Sequence, residues 1–173
     1  MTTVVRDRPA RARRAGGAPP TPDADQLPRV RAVLLASEER EIPKAAIDLA
    51  ARIARASNAP VHVFTIARIW GTSFGFPSPG LMPTKREWEK QRENVEKAIS
   101  RLERKGIEAR GRVIGTRAGA KRIVREARRL GCDVIVMGAD PPRHVLVRNF
   151  MWSQEPQRVA RRANVPVYLV TEP

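Results

Sequence analysis

The chain has 173 residues, 42% of them hydrophobic but only 5% aromatic, which suits one domain of ordinary size with an aliphatic core. Its single cysteine excludes an internal disulfide and offers no metal pattern, no apolar run approaches the ~18 residues of a membrane span, and the N-terminal arginines have no apolar stretch behind them to make a secretory signal. The chain therefore reads as cytoplasmic, with a formal charge of +15 that raises the question of anionic partners.

Residues 1–28 are rich in Arg, Pro, Ala and Gly without apolar periodicity, so they are expected to form a disordered basic tail, with one domain over 29–173. Val30 to Ala36 reads as a first strand. Pro43 suits the first turn of a helix that runs to about Ser57 and buries Ala46, Ile47, Ala50, Ile53 and Ala54, with Asn58-Ala59-Pro60 as its stop. Val61 to Ala67 reads as a second strand, and the long segment 69–83, carrying Trp70, Phe74, Phe76 and Met82, as a loop that packs on the body or covers something. Thr84 with Glu87 spells a capping box ahead of a helix whose stripe is Trp88, Val95, Ile99 and Leu102. Ile107 to Ile114 is expected as an edge strand, with Arg110 and Arg112 on alternate positions. A helix from Ala118 to Leu130 leads into the apolar run Val134 to Met137, which reads as a parallel strand buried on both faces. A short helix from about Ser153 to Ala163 and a last strand, Val165 to Val170, complete the series. Pro166 lacks a ladder donor and favours an edge or a strand start.

Strands alternating with helices make a parallel sheet covered on both faces. The segment Leu130-Gly131-Cys132-Asp133-Val134-Ile135-Val136-Met137-Gly138-Ala139-Asp140 closely resembles the fourth strand of the universal stress protein family, whose members typically read Gly-Ala-Asp-Leu-Ile-Val-Met-Gly. The resemblance covers about residues 30–171 and implies a three-layer α/β sandwich with a five-stranded parallel sheet in the order 3-2-1-4-5, as in the adenine nucleotide alpha hydrolase-like folds. No internal repeat is visible, so a single copy of the domain is expected.

In that order the topology reverses between the first and fourth strands, where ligands of open α/β sheets bind. Nucleotide-binding members of the family use an aspartate after the first strand for the ribose, a backbone position late in the second for adenine, and the pattern Gly-x2-Gly-x9-Gly-Ser/Thr for phosphates. The positional equivalents here are Ala36 or Ser37, then Ile66, then Gly138-Ala139-Asp140 and Ser153-Gln154. Neither Ala36 nor Ser37 offers a carboxylate. Pro141 stands at the second glycine, removing a donor and conformational freedom, and the following loop is eleven residues rather than nine. Family-type ATP binding is therefore not expected, and no cofactor is assigned; ATP or AMP is the alternative. Arg143, His144 and Arg148 bring cations to the loop, where a small anion could meet Ser153 at the last helix, although Phe150 and Trp152 plugging the former pocket is the preferred reading. No catalytic or metal-ligating constellation emerges; Asp140 reads as a turn residue.

On a helical wheel Lys121, Arg122, Arg125, Arg128 and Arg129 gather opposite Ala120, Ile123, Val124, Ala127 and Leu130, and Arg158, Arg161 and Arg162 gather on the last helix. Both helices should cover one face of the sheet; with Arg outnumbering Lys 27 to 6, as a GC-rich coding sequence would produce, this reads first as a solvated basic face, with an anionic partner as the alternative. The last strand, uncharged and apolar, is expected to pair across a two-fold axis into a homodimer centred on Tyr168 to Val170. By resemblance the expected function is that of a cytoplasmic stress-response protein acting by binding or dimerisation, not an enzyme. The alternatives are an adenine-nucleotide-binding stress protein with weak ATPase activity and a basic nucleic-acid-associated protein.

Overall fold

The computed structural model describes residues 2–5, 27, 29–69, 72–73, 76–77, 82–139 and 155–171. Its main sheet has six strands. Five are parallel: β2 (Val33–Glu38), β3 (Val61–Arg68), β6 (Ala109–Thr116), β7 (Val134–Ala139) and β8 (Val167–Thr171). They lie in the order β6-β3-β2-β7-β8, which is the expected 3-2-1-4-5. Helices α1 (Lys44–Ser57) and α2 (Lys85–Glu103) cover one face, and α3 (Gly119–Arg129) and α4 (Glu155–Arg162) the other. The pleat divides each central strand between the two layers. Val33, Leu35, Val61, Val63, Val134 and Val136 join the α1/α2 core. Leu34, Ala36, Phe64, Ile66, Ile135 and Met137 join the α3/α4 core.

The sixth strand departs from expectation. Within the segment read as a disordered tail, Thr2–Val5 forms β1 and pairs antiparallel with β8, from Thr2 opposite Val170 to Val5 opposite Val167. Thr-Thr-Val-Val is β-branched throughout, and β8 would otherwise present an open edge. The last strand is thus the second from the edge rather than the edge itself. Pro166 sits just ahead of it, where no donor is needed and its carbonyl accepts the Ile135 N–H at 3.0 Å. Tyr168, Leu169 and Val170 are all buried, Leu169 within the α3/α4 core.

Strand boundaries shift where caps compete with the ladder. Val30 N–H is taken by the Ser57 hydroxyl (2.9 Å) and Arg31 N–H by the Asp133 carboxylate (2.7 Å), so sheet pairing begins at Val33. Ile107 N–H still bonds the Leu102 carbonyl (3.1 Å) as α2 ends through Gly106 at φ +71°, which delays β6 to Ala109. The 69–83 segment contains a short antiparallel pair, β4 (Thr72–Ser73) with β5 (Phe76–Pro77); the aromatic side chains proposed to cover the body there lie outside the described residues.

The capping box forms as read: the Thr84 hydroxyl accepts the Glu87 N–H at 3.2 Å, and the Glu87 carboxylate accepts the Thr84 N–H at 2.6 Å. Helix α2 lies close on the edge strand because Gly111 permits it; a Cβ there would sit 2.1 Å from Val95 Cγ1. Cys132 is buried, and that burial pushes its thiol up to about 12, so it remains protonated and serves as a small apolar residue.

One acid was not legible from the arginine arc on α3. Glu126 is 1% exposed, receives Arg129 at 2.7 Å, and lies 3.7 Å from both Arg112 and Arg122. Its hydrogen bonds from Arg129, ahead of the opposing effect of burial, hold its carboxyl below the usual range. A depressed folded value contributes stability above the unfolded value that disappears as pH falls through the folded one. Glu126→Gln is therefore expected to lose about 1–2 kcal/mol at pH 7, with the gap to wild type closing below about pH 4. Denaturant titrations at several pH values measure this; a gap that persists unchanged to pH 3 contradicts it.

Candidate ligand-binding end of the sheet

The reversal of topology lies between β2 and β7, and the carboxyl ends of β2, β3 and β7 meet there. Ala36 is fully buried between Phe64 and Met137 in register and belongs to the core rather than to a surface. Ser37 faces the α1/α2 side, and its hydroxyl donates to the Arg40 carbonyl at 2.7 Å. The same carbonyl accepts from Asn94 Nδ2 (2.6 Å), while Asn94 Oδ1 accepts the Ile42 N–H (3.0 Å). Helix α2 thereby ties down the loop after the first parallel strand, and the Ser37 hydroxyl is spent inside it.

Strand β2 extends two residues beyond the expected end and carries Glu38 into the sheet opposite Ile66. The Glu38 side chain is 4% exposed and lies 3.7 Å from Arg68. Glu39 follows at φ +56°, a turn conformation, and its N–H donates to the Ile66 carbonyl at 3.2 Å. Partial burial pushes the Glu39 carboxyl upward, against the pull of Arg68. The Ile66 side chain is fully buried in the α3/α4 core, so only its backbone faces the site.

Gly138 and Ala139 are half-buried at the end of β7, opposite Val170 and Thr171. The glycine has a packing reason: a Cβ there would lie 2.6 Å from Pro43 Cγ and 2.7 Å from Cδ. Asp140, Arg143, Ser153 and Gln154, along with His144, Arg148, Phe150 and Trp152, lie outside the described residues. The structure thus brings together Ala36, Ser37, Ile66, Gly138 and Ala139, and adds Glu38, Arg68 and Asn94, which the sequence reading missed. Glu38 had a signal in its place directly after Ser37, and Asn94 in its place on the i, i+4 stripe of Asn94, Ala98 and Leu102.

The model of the universal stress protein family matches residues 29–171. The chain belongs to the universal stress protein family. No curated protein sequence matches it. Among solved structures it resembles a universal stress protein in complex with cAMP, at 21% identity over 83% of this chain and 98% of that one, with a TM-score of 0.61. It also resembles a protein of the family from Burkholderia pseudomallei (22% identity, 81% and 95% coverage, TM-score 0.59). A third is the universal stress protein from Archaeoglobus fulgidus in complex with dAMP (19% identity, 79% and 94% coverage, TM-score 0.58). At these identities the likeness supports the fold. This universal stress protein therefore has the expected α/β frame, with its own residues at the ligand end.

No helix among the described residues is long and apolar enough to cross a membrane, and no described group of three His, Cys, Asp or Glu could hold a metal ion.

Proposed function

We propose that this universal stress protein acts by binding and assembly rather than by catalysis, and without the family's usual ATP contact. The observation that carries the reading is the closed loop after β2. Ser37 stands where the ribose carboxylate is expected, and its hydroxyl is committed to the Arg40 carbonyl that Asn94 also holds. The neighbouring carboxylate, Glu38, is buried beside Arg68 rather than presented to solvent. Gly138, the glycine-motif position that survives, is accounted for by its contact with Pro43. Calorimetry with ATP, AMP and cAMP should give no binding heat below millimolar ligand. Micromolar ATP binding by the protein alone would reject this reading in favour of a nucleotide-binding stress protein with weak ATPase activity, the alternative that the cAMP and dAMP complexes of its structural neighbours favour.

The assembly is a homodimer built at the β1/β8 side of the sheet. Because β1 lies along β8 in a single chain, two copies can join by exchanging Thr2–Val5, each pairing with Val167–Val170 of the other in an isologous contact. The 27 residues between Val5 and Val33 can span up to about 90 Å when extended, ample for exchange. Sedimentation at tens of micromolar should show a dimer that dissociates when residues 2–5 are deleted. A wild-type monomer, or a deletion variant that dimerises equally well, would reject it.

A further inference from the structure

The two helical layers differ in charge more than in length. Helices α1 and α2, on one face, hold nine bases and six acids. Helices α3 and α4, on the other, hold eight bases and two acids in far fewer residues. The single acid of α3 is Glu126, which lies beneath the surface at 1% exposure. Lys121, Arg125, Arg128, Arg129, Arg161 and Arg162 are all exposed above it. Evenly distributed arginine would not produce this asymmetry.

The cationic field continues onto the sheet. Helix α3 leaves the β3/β6 edge of this face open, and a cleft of about 220 Å³ remains there, lined by His62, Arg110, Arg112, Glu126 and Arg129 among others. Burial, then the neighbouring Arg110, lowers the His62 value and disfavours its charged form. Arg110 and Arg112, both exposed on β6, extend the positive surface past the end of α3.

From these placements we infer that the α3/α4 face, continued by Arg110 and Arg112, binds the phosphate backbone of double-stranded nucleic acid without reading its sequence. The chemistry selects among anionic partners. Arginine forks match phosphate oxygens in bidentate fashion. A membrane surface is gripped by apolar anchors beside the cations, and a protein partner by buried aromatic anchors. Neither is present among the described residues of this face; the exposed large hydrophobic among the described residues is Met82, which precedes α2. Single strands are held by base stacking on exposed aromatics, which the described residues of the face also lack. Helix α3 is about 16 Å long, and a duplex carries one charge per about 1.7 Å of axis, so several phosphates meet the face at once.

The test is fluorescence anisotropy of a mixed-sequence 20-base-pair duplex against salt, using the full chain. Engagement of about five cations gives a slope of log Kobs on log[salt] near −4.5, or about 500-fold weaker binding at 200 mM than at 50 mM. The triple variant Lys121→Gln, Arg125→Gln and Arg161→Gln should flatten that slope by about 2–3. A charge-matched control on α2, Lys90→Gln, Arg92→Gln and Lys97→Gln, should leave it unchanged. All six positions are exposed, where such changes alter stability by about 0.5 kcal/mol or less. Four results would overturn the inference: no salt-sensitive binding by wild type; equal effects of the two triple variants; an unchanged slope in the α3/α4 variant, which would move binding to the N-terminal arginines; or equal binding to anionic phospholipid vesicles with the same salt dependence.

Discussion

Asn94→Ala should destabilise the protein by about 2–4 kcal/mol, lowering Tm by about 5–15 °C. The residue is 7% exposed, and its side chain holds two backbone groups of the loop after β2, the Ile42 N–H and the Arg40 carbonyl. Alanine cannot replace either bond. The Arg40 carbonyl keeps the Ser37 hydroxyl, but the N–H of Ile42, a residue only 2% exposed, loses its acceptor. A buried donor left in that state costs more than an average hydrogen bond contributes, because its hydration in the unfolded chain is not recovered. The neighbouring exposed Glu93→Ala is the control and should change stability by less than about 0.5 kcal/mol. Thermal and denaturant unfolding measure both; equal stability of the two variants would show that α2 does not anchor the loop.

Gly138→Ala is the second large effect, about 1–3 kcal/mol of destabilisation. The added methyl would lie 2.6 and 2.7 Å from two carbons of the Pro43 ring, well inside van der Waals contact. The ring cannot rotate away, and its carbonyl accepts the Ala46 and Ile47 N–H groups that open α1, at 3.0 and 3.1 Å. Relief requires either β7 or the start of the helix to move. Pro43→Ala removes the offending carbons and keeps the carbonyl, so the double variant should recover at least about 1 kcal/mol relative to the sum of the single changes. Strict additivity would mean that Gly138 is needed for something other than room beside Pro43. The same cycle separates packing from phosphate recognition: a glycine kept for ligand approach gains nothing from the loss of a proline ring.

Much of the frame was legible because long apolar runs and helix caps are local. Val134 to Met137, the Thr84–Glu87 box and the alternation of strand and helix each declare themselves within a few residues. Strand β1 could not be read this way. Four β-branched residues ahead of an Arg/Pro-rich stretch mean nothing until the open flank of β8 is in place, and that is a long-range fact. Glu126 and Asn94 were overlooked for a different reason. Both occupy inward positions by spacing, Glu126 three residues after Ile123 and Asn94 four before Ala98, yet polar side chains are discounted when an apolar stripe is traced. Each earns burial by finding partners elsewhere in the fold: arginines for one, loop backbone for the other. At the ligand end, the missing carboxylate at Ser37 was plain from the sequence. The reason Gly138 persists was not, since Pro43 meets it only after the sheet forms.

The pairing of Thr2–Val5 with Val167–Val170 also has a history within each synthesis of the chain. At translation rates of about 5–20 residues per second, the first of these segments leaves the ribosome roughly ten to thirty seconds before the second exists. The parallel strands β2, β3 and β6 can assemble during that interval, but β1 has no place to go. Its docking closes the longest loop among the described strand pairings, a step expected at the end of folding. The segment made earlier is placed last, and a nascent chain that stalls short of Val167 leaves it without its partner.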